Sequence, residues 1–193
     1  MTRMPASSRV RLATPSVRWL RAFVAAVRRS RALLARWVSP PATPDAYRAY
    51  LRRLRRASHA GYLICMRGSG ELVGVVNISE IVHGAFRSGY LGYYAFTPHA
   101  RQGLMTEGLA RVIDTAFGHL GLHRLEANVQ PANRASLCLI RRLGFRKEGY
   151  SPRYLEIRGR WRDHERWAIL ADQGRASLAG EHPRKQSMIA RSR

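Results

Sequence analysis

A single mixed α/β domain is what this sequence predicts, and three observations predict it. The chain has 193 residues, 46% of them hydrophobic, enough to build one core without disulfides or metals. Its hydrophobic period changes from helical to strand-like near residue 60. Beyond residue 89 strand-like and helix-like segments alternate, the pattern of a sheet covered by helices. The expected order is strand, two or three helices, three strands, helix, strand, helix, two strands.

Val10-Arg11-Leu12 reads as a short extended piece. Pro15 suits the first turn of a helix with Thr14 as its N-cap, and Val17, Leu20, Phe23, Val24 and Val27 follow at helical spacing. Leu33, Leu34, Trp37 and Val38 suggest a second short turn that Pro40-Pro41 stops. Thr43-Pro44-Asp45 starts another helix running to about Ala57, with Tyr47, Tyr50, Leu51 and Leu54 on one face. Residues 62–66, a Gly68-Ser69-Gly70 turn and residues 72–78 read as a hairpin, and tyrosine-rich residues 89–97 as a third strand ended by Pro98. A helix is expected from Gly103 to Leu120, closed by Gly121. Residues 125–129 are extended, residues 133–143 helical with Gly144 at the C-terminal end, and Phe145 onward and Trp161 to Leu170 supply two last strands. Residues 9–171 are taken as the domain, and 172–193, without periodicity, as a disordered basic tail.

Charge and cysteine content narrow the function classes. The chain carries 34 basic and 12 acidic residues, for a net charge of +22, a balance that draws a protein toward polyanions. The excess is mostly N-terminal: residues 1–60 hold 14 arginines and one acid, Asp45. An arginine interrupts every apolar run there, so no stretch approaches the roughly 18 apolar residues of a membrane span. The first 44 residues, with nine arginines and no acid, can be wound into the amphipathic helix of a transit peptide. Their apolar stripes match core-facing helix surfaces better, and integral structure is expected. Cys65 and Cys138 are too few for a disulfide framework and lack the grouping of a zinc site. A cytoplasmic, reducing environment and no metal are expected. No Walker lysine, dinucleotide-binding glycine motif, zinc-protease motif or serine-hydrolase elbow occurs.

The informative junction is Tyr93-Tyr94-Ala95-Phe96-Thr97-Pro98-His99-Ala100-Arg101-Gln102-Gly103-Leu104-Met105-Thr106-Glu107, a strand running through a turn into an amphipathic helix. Such a helix start offers unpaired N–H groups and the positive end of the macrodipole to an anion, with Gly103 letting the chain approach closely. It is followed by residues 122–136, L-H-R-L-E-A-N-V-Q-P-A-N-R-A-S, and by L-G-F-R-K-E-G from Leu143. With these motifs in this order, the sequence resembles the GNAT superfamily of acyl-CoA-dependent N-acetyltransferases. The runs G-L-M-T-E-G-L, H-R-L-E-A-N-V-Q-P-A-N, L-G-F-R-K-E-G-Y and G-R-W-R-D-H further resemble the branch that acetylates the N-terminal alanine of ribosomal proteins.

The resemblance implies a mostly antiparallel sheet, flanked by helices, in which two neighbouring parallel strands splay apart around the pantetheine arm of acetyl-CoA. Ala95 and Phe96 would offer strand backbone to that arm; Arg101, Gln102, Gly103, Leu104, Met105 and Thr106 would wrap the pyrophosphate; Asn133 would hydrogen-bond the cofactor. The family's loop pattern is met with Ala100 at its first place and Met105 at its last, where Met105 would crowd the phosphates. Glu126, on the strand facing the cleft, is the first candidate base, with an arginine-paired strand residue as the alternative. Ser136 is the candidate proton donor to the leaving thiolate, or else only caps and packs its helix. Tyr150, Tyr154, Trp161, Asp163 and His164 would flank the acceptor groove, and Cys138 reads as core. Three functions follow in order: acetylation of a protein N-terminus, perhaps a ribosomal protein met on the ribosome; acetylation of a small-molecule amine; and a basic nucleic-acid-binding module. A cationic small molecule would need acids near the acceptor, where Glu80, Glu148, Glu156, Asp163 and Glu165 are the candidates.

Overall fold

Seven strands, β1 (Val10–Ala13), β2 (Ala60–Met66), β3 (Leu72–Val82), β4 (Ser88–Ala95), β5 (Arg124–Val129), β6 (Arg146–Ile157) and β7 (Arg160–Leu170), form one sheet in the order β1-β2-β3-β4-β5-β7-β6. The computed structural model describes residues 8–172, so the segment expected to be a disordered tail lies, but for Asp172, outside the described residues. Five helices accompany the sheet: α1 (Leu20–Arg29), α2 (Arg31–Leu34), α3 (Pro44–Arg53), α4 (Leu104–Gly118) and α5 (Arg134–Arg142). Every neighbouring pair is antiparallel except β4 and β5. Those two pair only at Ser88–Arg124, Gly89–Leu125 and Tyr90–Glu126. Beyond that point β4 stays bonded to β3 as far as Ala95, and β5 to β7 as far as Val129. The sheet therefore opens as a wedge between Gly92–Ala95 and Asn128–Val129.

Each sheet face has its own core. α4 and α5 pack Leu109, Val112, Ile113, Leu137 and Ile140 against Ile64, Val76 and Leu125. Full burial of each such side chain is worth about 1.5–3 kcal/mol. Gly108 lets α4 lie directly on Ile64 of β2, because a Cβ there would overlap all three of that side chain's outer carbons. On the other face, Phe23 of α1 stacks among Tyr47 and Tyr50 of α3 and meets Phe96 edge-on at 5.8 Å. Within the described residues the arginine-rich N-terminal segment contributes to this core, with Phe23, Val24, Ala26 and Val27 buried. Among the described residues no helix is long and apolar enough to cross a membrane.

Several boundaries differ from expectation for local reasons. Thr14 caps nothing: the chain stays extended through Ser16, whose carbonyl accepts from the Tyr47 hydroxyl at 3.2 Å, and a 3-10 turn (Val17–Trp19) precedes α1. Thr43 does cap α3, its Oγ1 accepting from Ala46 N, with Pro44 at the first helical position. That helix ends at Arg53 rather than Ala57, because the chain tightens into successive turns, Arg55 N to Arg52 O and Arg56 N to Arg53 O. β3 runs on to Val82 across an irregularity that places Glu80 at φ 50°. The β6–β7 hairpin turns at Arg158 and Gly159, both with positive φ as a two-residue turn of this hand requires.

The N-terminal strand is tied to the start of α4 by one charge cluster. Glu107, 6% exposed, accepts from Arg9 N at 2.9 Å and Arg9 Nε at 2.7 Å, and its Oε1 lies 2.5 Å from Arg9 Nη2. The same guanidinium donates to the Gln102 carbonyl at 3.0 Å. A carboxylate in the first turn of a helix also answers the macrodipole. Replacing Glu107 by glutamine removes the charge from three converging contacts with Arg9, whose side chain stays half exposed to water. The expected cost is about 1–2 kcal/mol, read as a lower urea midpoint at unchanged slope.

Candidate active site

A cavity of about 970 Å³ fills the wedge between β4 and β5. One end is walled by the starts of α4 and α5, the other by α2, the residues after it and the β6–β7 hairpin. At the first end Gly103 adopts φ 79° as the N-cap of α4, and Arg101 before it also has positive φ, 64°. The bonds from Thr106 N and Glu107 N return to the Gly103 carbonyl, and Leu104 and Met105, ahead of them, have no intrahelical acceptor for their N–H groups. Arg101, Arg134 and Arg142 line the cavity here. A helix start, a glycine and three guanidinium groups fit an anion such as a pyrophosphate.

The residues expected to hold a cofactor divide by placement. Ala95, Arg101, Gly103, Met105, Thr106 and Asn133 line the cavity. Phe96 does not: it is wholly buried on the opposite core, and its N–H is bonded to Val73 O at 2.7 Å. Leu104 is likewise core, at 1% exposure, and Gln102 turns back to give its amide to the Pro98 carbonyl. Met105 does not crowd the loop, because its side chain folds inward with Sδ over Gly74 of β3, where no Cβ would fit. Asn133 has a structural duty, capping α5 by accepting from Ser136 N at 3.2 Å. Cys138 corrects the reading that placed it in the core: it is exposed and lines the cavity, while Cys65 is buried.

Ser136 is held by a residue that the sequence did not single out. Its Oγ lies 2.5 Å from the hydroxyl of Tyr93, which stands in the wedge on β4. Burial pushes the Tyr93 phenol far above its ordinary range, partly offset by that bond, so the phenol keeps its proton. Alternation along β4 puts Tyr93 on the face opposite Tyr90 and Tyr94, but which face meets Ser136 depends on how α5 packs beside the wedge, which the sequence does not display.

The acceptor end gathers polar groups of β5, β6 and β7. Asn128 donates from Nδ2 to Tyr154 at 3.3 Å, and its buried Oδ1 has no partner among the described residues. His164, 3% exposed, sits beside Tyr154 with ring centroids 5.7 Å apart. Its Nδ1 lies 2.9 Å from the Arg162 carbonyl. A carbonyl can only accept, so Nδ1 carries the proton and Nε2 keeps its lone pair. Burial lowers the His164 pKa, outweighing the Arg162 carbonyl and Asp163, which raise it. Glu126 shares Asn128's side of β5 but does not line the cavity; its Oε1 accepts from Arg124 Nε at 2.9 Å, and Arg124 also binds both oxygens of Glu148. Of the other flanking candidates, Asp163 accepts from Tyr150 OH at 2.5 Å and Arg153 N at 2.8 Å, and these bonds hold its carboxyl below the usual range. Trp161 is 61% exposed on the hairpin. Among the cavity-lining residues Glu80 is the one carboxylate.

The sheet splays at its parallel pair, with two helix starts at the gap and hydroxyl, imidazole and amide groups lining it, an arrangement able to hold an extended ligand that carries an anion at one end. The model of the acetyltransferase (GNAT) domain matches residues 9–146, and the chain belongs to that family. It is an acetyl-CoA-dependent N-acetyltransferase. The chain is 45% identical over 94 residues to the [ribosomal protein uS5]-alanine N-acetyltransferase of Escherichia coli (strain K12), a match spanning 49% of this chain and 48% of that protein. Among solved structures it is similar to Mycobacterium smegmatis RimJ in complex with CoA-disulfide, with TM-score 0.80, 30% identity and coverage of 89% and 88%. Spermidine N-acetyltransferase from Vibrio cholerae, in complex with CoA and spermine, shares the fold at TM-score 0.75 and 21% identity, covering 87% of this chain and 99% of that one.

The buried imidazole sets a pH window for stability. His164 binds its proton less readily in the folded protein than in the unfolded chain, where its pKa is an ordinary 6.5. Stability is therefore complete above that value and declines as pH falls below it toward the folded pKa. Urea midpoints measured from pH 7.5 to 5 are expected to fall, and His164→Gln is expected to flatten that part of the curve.

Proposed function

We propose that this chain transfers the acetyl group of acetyl-CoA to the N-terminal α-amine of a protein, of the ribosomal-protein alanine type, by direct attack of the amine on the thioester. The observation that carries the acceptor class is the scarcity of negative charge at the acceptor end. A polyamine needs several carboxylates to hold its ammonium groups, whereas Glu80 alone lines this cavity among the described residues, and Glu148, Asp163 and Glu165 are each engaged by Arg124, by Tyr150 with Arg153 N, and by Lys147. The 45% identity to an alanine N-acetyltransferase of a ribosomal protein supports the same acceptor. Two unbridged cysteines suit a cytoplasmic setting.

Acetyl-CoA supplies the acetyl group as an activated thioester. On this reading Gly103, Thr106 and the first N–H groups of α4 hold its phosphates with Arg101, and Ala95 and Asn133 border its arm. An α-amine of pKa near 8 is partly neutral at physiological pH, so the site has to place it and accept one proton. Asn128 Oδ1, without a partner among the described residues, accepts from the amine and orients it. The proton leaves through water to His164 Nε2 or to Glu126 on the same side of the sheet. Ser136 Oγ gives a proton to the departing sulfur and takes one back from solvent through the cavity, while the Tyr93 phenol, which keeps its proton, positions the serine hydroxyl.

Purified protein is expected to melt at a higher temperature with acetyl-CoA, and to release thiol faster with peptides starting in alanine or serine than with spermidine. Equal or faster turnover of spermidine overturns the acceptor class. Ser136→Ala is expected to lower kcat by about 10²-fold, within the usual range for a lost acid, with Tyr93→Phe intermediate and the KM for acetyl-CoA little changed. Alkylation at Cys138, the accessible thiol of the two, is expected to slow severalfold when CoA is present, as mass spectrometry would report; unchanged labelling removes the cofactor from this cavity.

A further inference from the structure

The outer surface of the N-terminal helices is a second functional surface, and we infer that it docks double-helical RNA beside the acceptor end of the cavity. From Val17 to Arg56 the chain has 11 exposed arginines, and Asp45, paired with Arg48 at 2.8 Å, is the one acid in that stretch. α1 and α3 pack on the same face of the sheet, through Phe23, Val27, Tyr47 and Tyr50. Their solvent sides, which carry Arg21, Arg28, Arg48 and Arg52, accordingly form one exterior. Base composition can explain arginine in place of lysine throughout, since only two of the 34 cations are lysine. It does not explain the missing acids, because residues 61–170 carry nine acids beside 15 cations.

What the surface lacks selects the partner. Val17 is the one large apolar side chain exposed on these helices. That leaves no apolar stripe to enter a bilayer interface, no apolar centre for a protein interface and no exposed aromatic platform for unstacked bases. A polar, strongly cationic face with forked donors fits the phosphates of a double helix. That the helix is RNA rests on the acceptor proposed above, a ribosomal protein. Position agrees: α2 and the residues after it carry exposed Arg31 and Arg36 while contributing Leu33, Trp37 and Val38 to the cavity wall. RNA docked on this face would present an adjoining protein N-terminus to the wedge.

The test is fluorescence anisotropy with a labelled 20-base-pair RNA duplex, and with the DNA duplex of the same sequence, between about 50 and 200 mM salt. RNA binding in about the micromolar range at the higher salt is expected, with log K falling linearly in log salt. The triple variant R21Q/R52Q/R55Q is expected to weaken binding at least about tenfold and to lower the salt slope by about 2–3, while acetylating an alanine-starting peptide at the rate of the parent chain. Circular dichroism identifies a misfolded variant, and the single substitutions, each expected to lower the slope by about 1, then carry the measurement. No RNA binding at about 100 mM salt, unchanged binding by the variants, or tighter binding to phosphatidylglycerol vesicles overturns the inference, and tighter binding to the DNA duplex overturns its RNA assignment. Peptide acetylation is measured separately, so loss of RNA binding and failure of the acceptor reading are distinct results.

Discussion

Three residue pairs of parallel sheet, Ser88–Arg124, Gly89–Leu125 and Tyr90–Glu126, join two otherwise antiparallel half-sheets, and the site depends on the pairing stopping there. Every buried backbone group needs a partner. A sheet can be parted only if something else satisfies or fills the exposed edges. Here β4 keeps its bonds to β3, β5 keeps its bonds to β7, and the edges that face each other across the wedge are left to a ligand. That the cavity is lined by Gly92, Tyr93, Ala95, Asn128 and Val129 follows from the same break. An extended molecule with alternating amide donors and acceptors is the complement such edges call for, which is the physical reason a pantetheine arm suits this fold.

Holding the wedge open requires rigid walls, and the charges are spent there. Glu107 binds Arg9 beneath the α4 loop, and Arg124 ties together Glu126 and Glu148 at the point where β4 and β5 part. Removing the acids that serve as struts leaves the cavity itself cationic, with Arg101, Arg134 and Arg142 against Glu80. The charge pattern favours an anion at the end lined by these arginines.

Most of the architecture was legible because the hydrophobic period is strong: α4 and α5 repeat at helical intervals, and Gly121 and Gly144 mark their ends with positive φ. Placement inside the site was less legible. Residues 101–106 form one sequence run, yet a helix start sends neighbours in different directions, so Gly103 and Thr106 reach the cavity while Leu104 enters the core. Cys138 lies between Leu137 and Leu139 in an apolar run, and only the tilt of α5 against the sheet decides that it faces the wedge. Tyr93 meets Ser136 only through the way α5 packs beside the wedge, and the unsatisfied Asn128 Oδ1 depends on contacts 26 residues away.

The pairing of Ser136 with Tyr93 bears on the proposed proton donor to the leaving thiolate. A serine hydroxyl is by itself a weak acid, and donating to a thiolate leaves it short of a proton until something restores it. A phenol kept protonated by burial, 2.5 Å away, fixes the position of that hydroxyl, and on the proposed reading the proton itself returns from solvent through the cavity. On the proposed mechanism the two proton movements use different elements of the fold: the donor hydroxyl is held between α5 and β4, and the amine's proton leaves toward His164 of β7.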